Sequence, residues 1–290
     1  MSSASDKYGI LVGVDGSAQS DAAVRFATRE SAIRNASLTL MHVVEPPPEW
    51  ATPSQQSRIT QARQDNARDV IEQAQKTALS SAPASVELDL RTEVVCSPVV
   101  PMLVVASTGA HLVVVGSRGS TRLGQLLLGS VSSTLTQHSR CPVAVIHDDD
   151  GSQSPKRAVV VGIDGSAACD AAVALAFDEA SRRGVPLVAL HAWSDVGVLP
   201  ILGMDWRDYE TRGAEVLSER LAGYQEQYPD VKVHRRLVCD KPAQWLLDES
   251  ERAQLVVVGH RGRGGFPEML LGSVSSAVVQ SAKVPVIVAR

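Results

Sequence analysis

Leu112-Val113-Val114-Val115-Gly116-Ser117-Arg118-Gly119, nine residues, then Gly129-Ser130-Val131-Ser132 is the stretch that decides the fold. It returns as Leu255-Val256-Val257-Val258-Gly259-His260-Arg261-Gly262, nine residues, then Gly272-Ser273-Val274-Ser275. Each copy opens on a β-branched apolar run of strand length and closes where a helical pattern begins, so the glycines punctuate a crossing from strand to loop to helix. Glycine lets a backbone turn at positive φ and approach a ligand closely, while Ser at a helix start sets a hydroxyl beside unpaired N–H groups. Together these features describe a phosphate cradle.

The repeat extends outward over the whole chain. Ile10-Leu11-Val12-Gly13-Val14-Asp15-Gly16-Ser17 is matched by Val159-Val160-Val161-Gly162-Ile163-Asp164-Gly165-Ser166 at an offset of 149. The same offset pairs Asp21-Ala22-Ala23-Val24 with Asp170-Ala171-Ala172-Val173 and His42 with His191. Toward the glycine loops it falls to 143, so six residues are missing from the second copy between His191 and Gly259. Residues 112–146 and 255–289 share 18 identities in 35 positions, which marks an internal duplication. An acidic, then small and polar stretch, 148–155, interrupts the apolar rhythm as an interdomain linker does. The expected domains are therefore 1–147 and 157–290, joined by 148–156.

In the first copy, residues 10–14 form a continuous apolar run that suits a strand buried on both faces. A helix is expected at 21–34 with Asn35 as its stop, a strand at 38–43, and a long helix at 58–79 after the stiff Pro46-Pro47-Pro48. Residues 86–90 alternate as a strand, and 98–108 read as a helix with Pro98 or Pro101 in its first turn. After the strand at Leu112 come a helix from Ser130 to about His138 and a last strand at 143–146. Strands alternating with helices predict an α/β fold: two tandem, open, parallel five-stranded sheets of order 3-2-1-4-5, with helices on both faces. Connections leave strands 1 and 4 in opposite directions, so a crevice opens at their carboxyl ends, between Gly13 and Asp15 on one side and Gly116 on the other.

Composition bounds the rest. With 290 residues, 44% hydrophobic and 21% charged, the chain has the makings of two ordinary cores. A net charge of −4 offers no basic face for nucleic acid or an anionic membrane, so neither is an expected partner. Residues 1–7 lack the pattern of a signal peptide and no apolar run approaches the roughly 20 residues of a membrane span, which predicts a cytoplasmic protein. Cys96, Cys141, Cys169 and Cys239 stand far apart without metal-ligand spacing, so reduced thiols and no metal site are expected.

At these residues the sequence resembles the universal stress protein family in its tandem two-domain form, over essentially the whole chain. The pattern of the ATP-binding branch, G-x2-G-x9-G-[ST], is met at Gly116, Gly119, Gly129, Ser130 and again at Gly259, Gly262, Gly272, Ser273. The resemblance implies a Rossmann-like fold of the adenine nucleotide alpha hydrolase-like kind, with one ATP site per domain and Mg2+ carried by the phosphates. It implies that Asp15 or Asp164, just beyond Gly13 or Gly162, holds the nucleoside, and that the backbone at Val43 or Ala192 meets the adenine edge. Ribose and phosphates would be wrapped by Gly116, Ser117, Arg118, Gly119, Ser120, Thr121 and Arg122, and in the second copy by Gly259, His260, Arg261, Gly262, Arg263, Gly264 and Gly265. Gly129, Ser130 and Val131, or Gly272, Ser273, Val274 and Ser275, would close on the phosphates, and Asp195 would line the second pocket. Such domains pair through their last strands, here within one chain and between chains as a homodimer. The resemblance names no protein partner.

The residues leave some roles open. Asp15, Asp164, Ser130 and Ser273 also suit helix caps, His42 and His191 suit satisfied strand-end residues, and Arg118 and Arg261 suit a solvated loop as well as a phosphate. Neither a G-x-x-x-x-G-K-[ST] loop nor an S-G-G-x-D-S loop is present, which favours a nucleotide-binding stress-response regulator. The alternative is a slow ATP hydrolase or nucleotidyl-transfer enzyme on the same scaffold.

Overall fold

The apolar runs become the central strands of parallel sheets, because a strand covered by helices on both faces must be apolar throughout. A computed structural model describes residues 7–119, 128–147, 156–166, 169–193, 206–262 and 270–290. The chain divides into two compact units, 1–149 and 150–290. The expected linker lies largely outside the described residues.

The first unit runs β1 (Gly9–Gly13), α1 (Ala18–Arg34), β2 (Leu38–Val44), α2 (Pro53–Ser81), β3 (Leu90–Cys96), α3 (Val99–Ala106), β4 (Ala110–Gly116), α4 (Ser130–His138) and β5 (Val143–Ile146). Its strands lie in the order β3-β2-β1-β4-β5, all parallel. Ile10, Leu11 and Val12 of β1 and Val113 and Val114 of β4 are wholly buried, so the core sits on the two strands whose ends form the crevice.

The second unit repeats this with β6 (Ala158–Ile163), α5 (Asp170–Arg183), β7 (Leu187–Ala192), α6 (Trp206–Gln227), β8 (Val233–Val238), α7 (Pro242–Ser250), β9 (Ala253–Gly259), α8 (Ser273–Ser281) and β10 (Val286–Ala289). Its order is β8-β7-β6-β9-β10, again parallel. Leu38 lies opposite Leu90 and Leu187 opposite Val233, so all six missing residues fall between β7 and β8.

Several element ends differ from the sequence expectation. The third strand occupies Leu90–Cys96 rather than 86–90, because pairing with β2 starts only where Leu38 faces Leu90. As an edge strand, β3 is half exposed and carries a weak apolar signal. The second helix starts five residues early, at Pro53, where Thr52 and Gln55 form a reciprocal capping box. Thr52-Pro53-Ser54-Gln55 carries that signal in plain sight. The first helix likewise starts at Ala18, because the Ser17 hydroxyl accepts the Ser20 N–H at 3.1 Å. Asn35 ends it in the left-handed region at φ 49°, as expected of a helix stop. Pro98 is the N-cap of α3, and a 3-10 turn at Ser107–Gly109 takes up the rest of the predicted helix.

Among the described residues no helix is long and apolar enough to cross a membrane. The four cysteines are free thiols, Cys141 and Cys169 buried, Cys96 and Cys239 exposed. No group of three or more His, Cys, Asp or Glu side chains that could hold a metal occurs among the described residues.

Candidate functional site

The site of each unit is built where strand 1 and strand 4 end. In the first, Asp15 follows β1 directly, and its Oδ1 accepts the Ser17 N–H at 3.0 Å and the Ser17 hydroxyl at 2.6 Å. Gly16 completes this turn at φ 78°, a conformation that costs a residue with a Cβ about 1–2 kcal/mol. The second unit repeats it, with Asp164 Oδ1 receiving Ser166 N–H and Oγ–H at 2.9 and 2.7 Å and Gly165 at φ 79°. Ser17, not Asp15, is the cap of α1, so the aspartate is oriented by the turn rather than consumed by the helix.

Oδ2, the other carboxylate oxygen, faces the glycine loop. A Cβ built on Gly119 would lie 2.7 Å from Asp15 Oδ2, and one on Gly262 would lie 2.7 Å from Asp164 Oδ2. Residues about a hundred positions apart are thus brought together, twice, at the same distance. Neither Gly119 nor Gly262 has a positive φ, so of the two reasons for glycine only close approach applies here.

The spacing of the motif has a geometric cause. Ser117 donates its N–H to Ile146 O at 2.6 Å and accepts the Gly129 N–H at 2.8 Å, which closes the loop between the second and third glycines. His260 does the same with Ala289 O at 3.1 Å and Gly272 N at 2.8 Å. Ser132 Oγ and Ser275 Oγ each donate at 2.6 Å to the last carbonyl of β4 or β9, Gly116 O and Gly259 O, tying helix start to strand end. Gly129 and Gly272 are the N-caps of α4 and α8, with no side-chain cap. Ser130 and Ser273 are therefore the first helical residues and do not cap. The N–H groups of 130–132 and 273–275 precede the first intrahelical bonds, Ser133 N to Gly129 O and Ser276 N to Gly272 O. They leave a helix N-terminus open to an anion.

His42 and His191 belong to the frame. Each donates its Nδ1–H at 2.7 Å to the carbonyl that ends strand 1, Val14 O or Ile163 O. That bond satisfies Nδ1 of each ring.

The first unit's cavity, about 1280 Å³, is lined by Gly13, Asp15, Val43, Gly116, Arg118, Gly119, Gly129, Ser130 and Val131 of the expected residues. The second, about 190 Å³, is lined by Gly162, Asp164, Ala192, Gly259, Arg261, Gly262, Gly272, Ser273, Val274 and Ser275. Ser117 and His260 are absent from these linings, and their backbones clasp the chain at Gly129 and Gly272. Ser120, Thr121, Arg122, Asp195, Arg263, Gly264 and Gly265 lie outside the described residues.

Sequence reasoning missed the third wall, Val99 and Leu103 of α3 in one unit, Pro242 and Leu246 of α7 in the other. The signal was the offset of 143, which pairs these positions although only Leu103 and Leu246 keep their identity.

With this geometry in place, the family model described as "Universal stress protein family" matches residues 9–147 and again 156–290. The chain belongs to the universal stress protein family. It is 52% identical over 286 residues to a universal stress protein of Mycolicibacterium smegmatis, covering 98% of this chain and 97% of that protein. A Mycobacterium tuberculosis universal stress protein is 48% identical over 293 residues, covering 100% of this chain and 99% of the relative. Among solved structures, a universal stress protein from Archaeoglobus fulgidus is similar in fold, with a TM-score of 0.73 at 21% identity over 97% of this chain and 98% of that one. The tandem arrangement is thus shared along the full length of these relatives.

Proposed function

We propose that this universal stress protein binds ATP at one site in each unit and acts as a stress-response regulator rather than as an efficient enzyme. The observation that carries the reading is the meeting of Asp15 Oδ2 with Gly119 and of Asp164 Oδ2 with Gly262, each beside an open helix N-terminus. A carboxylate accepts hydrogen bonds from hydroxyls such as those of a ribose, and the helix start with its glycine loop receives phosphates. One ligand with both chemistries, separated by a short linkage, is a nucleotide. The adenine edge would meet the backbone at Val43 or Ala192, both cavity-lining positions at the end of strand 2. A divalent cation would ride on the phosphates.

The regulatory reading rests on where the acids lie. Asp15 and Glu45 are the only carboxylates among the described lining residues of the first cavity, and Asp164 is the only one in the second. Asp15 and Asp164 give Oδ1 to the strand-1 turn and, in this reading, Oδ2 to the ribose hydroxyls, so neither is assigned as a base. The test is to denature protein purified without added nucleotide, identify what is released, and titrate the emptied protein with ATP by calorimetry. Bound ATP recovered intact, with about two sites per chain, is the expected result. Absence of any ATP binding overturns the nucleotide reading. Motif-dependent turnover near the roughly 10 per second typical of enzymes overturns the regulatory one.

A further inference from the structure

The two cavities share most of their lining positions, and one difference adds an aromatic residue to the second. In the first unit, Val44 follows Val43 at the end of β2 and does not line the cavity. Its counterpart, Trp193, lines the second together with Ala192, Pro242 and Leu246. Trp193 continues the ladder beyond β7 by donating its N–H to Val238 O at 3.1 Å, which fixes its backbone. Room for it is made by Gly213 of α6, where a Cβ would lie 3.0 Å from both Trp193 Cβ and Leu237 Cδ1. The opposite wall also comes closer: a Cβ on Gly162 would lie 3.0 Å from Leu246 Cδ1, against 3.4 Å from Gly13 to Leu103 Cδ1. The result is a smaller cavity, about 190 Å³ against about 1280 Å³, with Trp193 in its lining next to the backbone position assigned to the base.

We propose that Trp193 is the specificity-determining residue of the second site, supplying an aromatic face on which the nucleobase stacks and which the first site lacks. This rests on the nucleotide reading of that site and deepens it. Aromatic stacking holds a ligand through its π-face, so affinity there depends on the base, while the phosphate contacts at Gly262 and Gly272 are independent of the indole.

The test uses the full chain carrying Gly119→Leu, so that only the second site titrates, and compares W193V, which restores the first site's residue, with W193F. The probes are ATP, adenosine and inorganic tripolyphosphate, with thermal melting as a check of folding. The expected result is a loss of about tenfold for ATP and adenosine in W193V, less than threefold in W193F, and no change for tripolyphosphate. Indole emission should fall on adding adenosine to the parent and stay constant in W193F. Unchanged ATP affinity in a folded W193V overturns the inference, as does an equal loss for tripolyphosphate, which would make Trp193 a packing residue. If W193V fails to fold, W193F decides: equal emission changes in W193F and the parent overturn it. If the unaltered chain binds no ATP at either site, the nucleotide reading falls and this one with it. Two ATP sites with an inert Trp193 sink only this one.

Discussion

The first and second cavities share a backbone and differ in their side chains. Both have the Asp-Gly-Ser turn, the glycine on which a Cβ would lie 2.7 Å from the aspartate, and the serine that ties helix start to strand end. What changes is the lining. Ser20, whose hydroxyl accepts the Asp15 N–H at 3.2 Å, is replaced by Cys169, and Val44 by Trp193. The second turn gains a different brace, Arg220, which grips Asp170 at 2.9 and 3.1 Å and Gly165 O at 2.7 Å, whereas in the first Gln73 holds Asp21 at 2.7 Å. Duplication has kept the turn, the close approach of glycine and aspartate, and the helix start in place, while the wall at Val44 and Trp193 diverged.

The most severe way to break the comparison is to fill the glycine facing the aspartate. Gly119→Leu should silence the first site and leave the second intact, and Gly262→Leu the reverse, since the clash at 2.7 Å is local to each unit. Overpacking a close approach costs about 1–3 kcal/mol, and the upper end of that range, a loss on the order of a hundredfold, is expected at the altered site. Calorimetric stoichiometries should read about two, one and one for parent and single variants. Loss of both sites from either change would contradict the independence claimed here.

Replacing the aspartates removes an acceptor without filling space. Asp15→Ala and Asp164→Ala should each weaken ATP about ten- to a hundredfold at their own site with little change in melting temperature, because a hydrogen bond to a charged group contributes about 1.5–3 kcal/mol. Equal affinity in a folded double variant would leave the carboxylates without a role in binding.

Much of the fold was legible because its core strands are continuous apolar runs and its helices carry a period. Strands 4 and 5 and the helix between them follow directly from the 35-residue repeat, and the crevice follows from strand order. Less visible was edge strand β3, half exposed and therefore without a continuous apolar run. At the site, Asp15, Gly119 and Ser130 were readable as a group. Their division of labour was not. Ser117 also clasps the chain through its two backbone bonds, and that role is set by where β5 ends rather than by anything local in the sequence.

A smaller effect distinguishes clasp from contact. Ser132→Ala or Ser275→Ala leaves Gly116 O or Gly259 O without its 2.6 Å partner, and removing one such bond costs about 0.5–1.5 kcal/mol. Each unit should lose stability by that amount in denaturant titrations, and ATP at the same site should weaken by about fivefold or less. A large affinity loss without a stability change would mean that the hydroxyl touches the ligand itself.

The smallest expected effect is one of pH, and only the second site should show it. His260 stands where the first unit has Ser117, and its N–H and carbonyl clasp the loop to Ala289 O and Gly272 N. Its Nδ1 is buried without a hydrogen-bond partner among the described residues. Burial, with the Arg290 and Arg261 guanidiniums beside it, holds the ring below its ordinary proton affinity, opposed by the bond to Ala289. The clasped loop therefore favours the neutral ring, while an opened loop takes a proton at the ordinary value of 6.5. As pH falls below that value the opened form gains, and ATP at the second site should weaken by a few-fold relative to the first. The ratio of the two sites is the proper readout, because protonation of the nucleotide's own phosphates acts on both. In His260→Ser, calorimetry at pH 7.5 and 5.5 should find that ratio constant. A ratio that still changes with acidification in the variant would place the titrating group elsewhere.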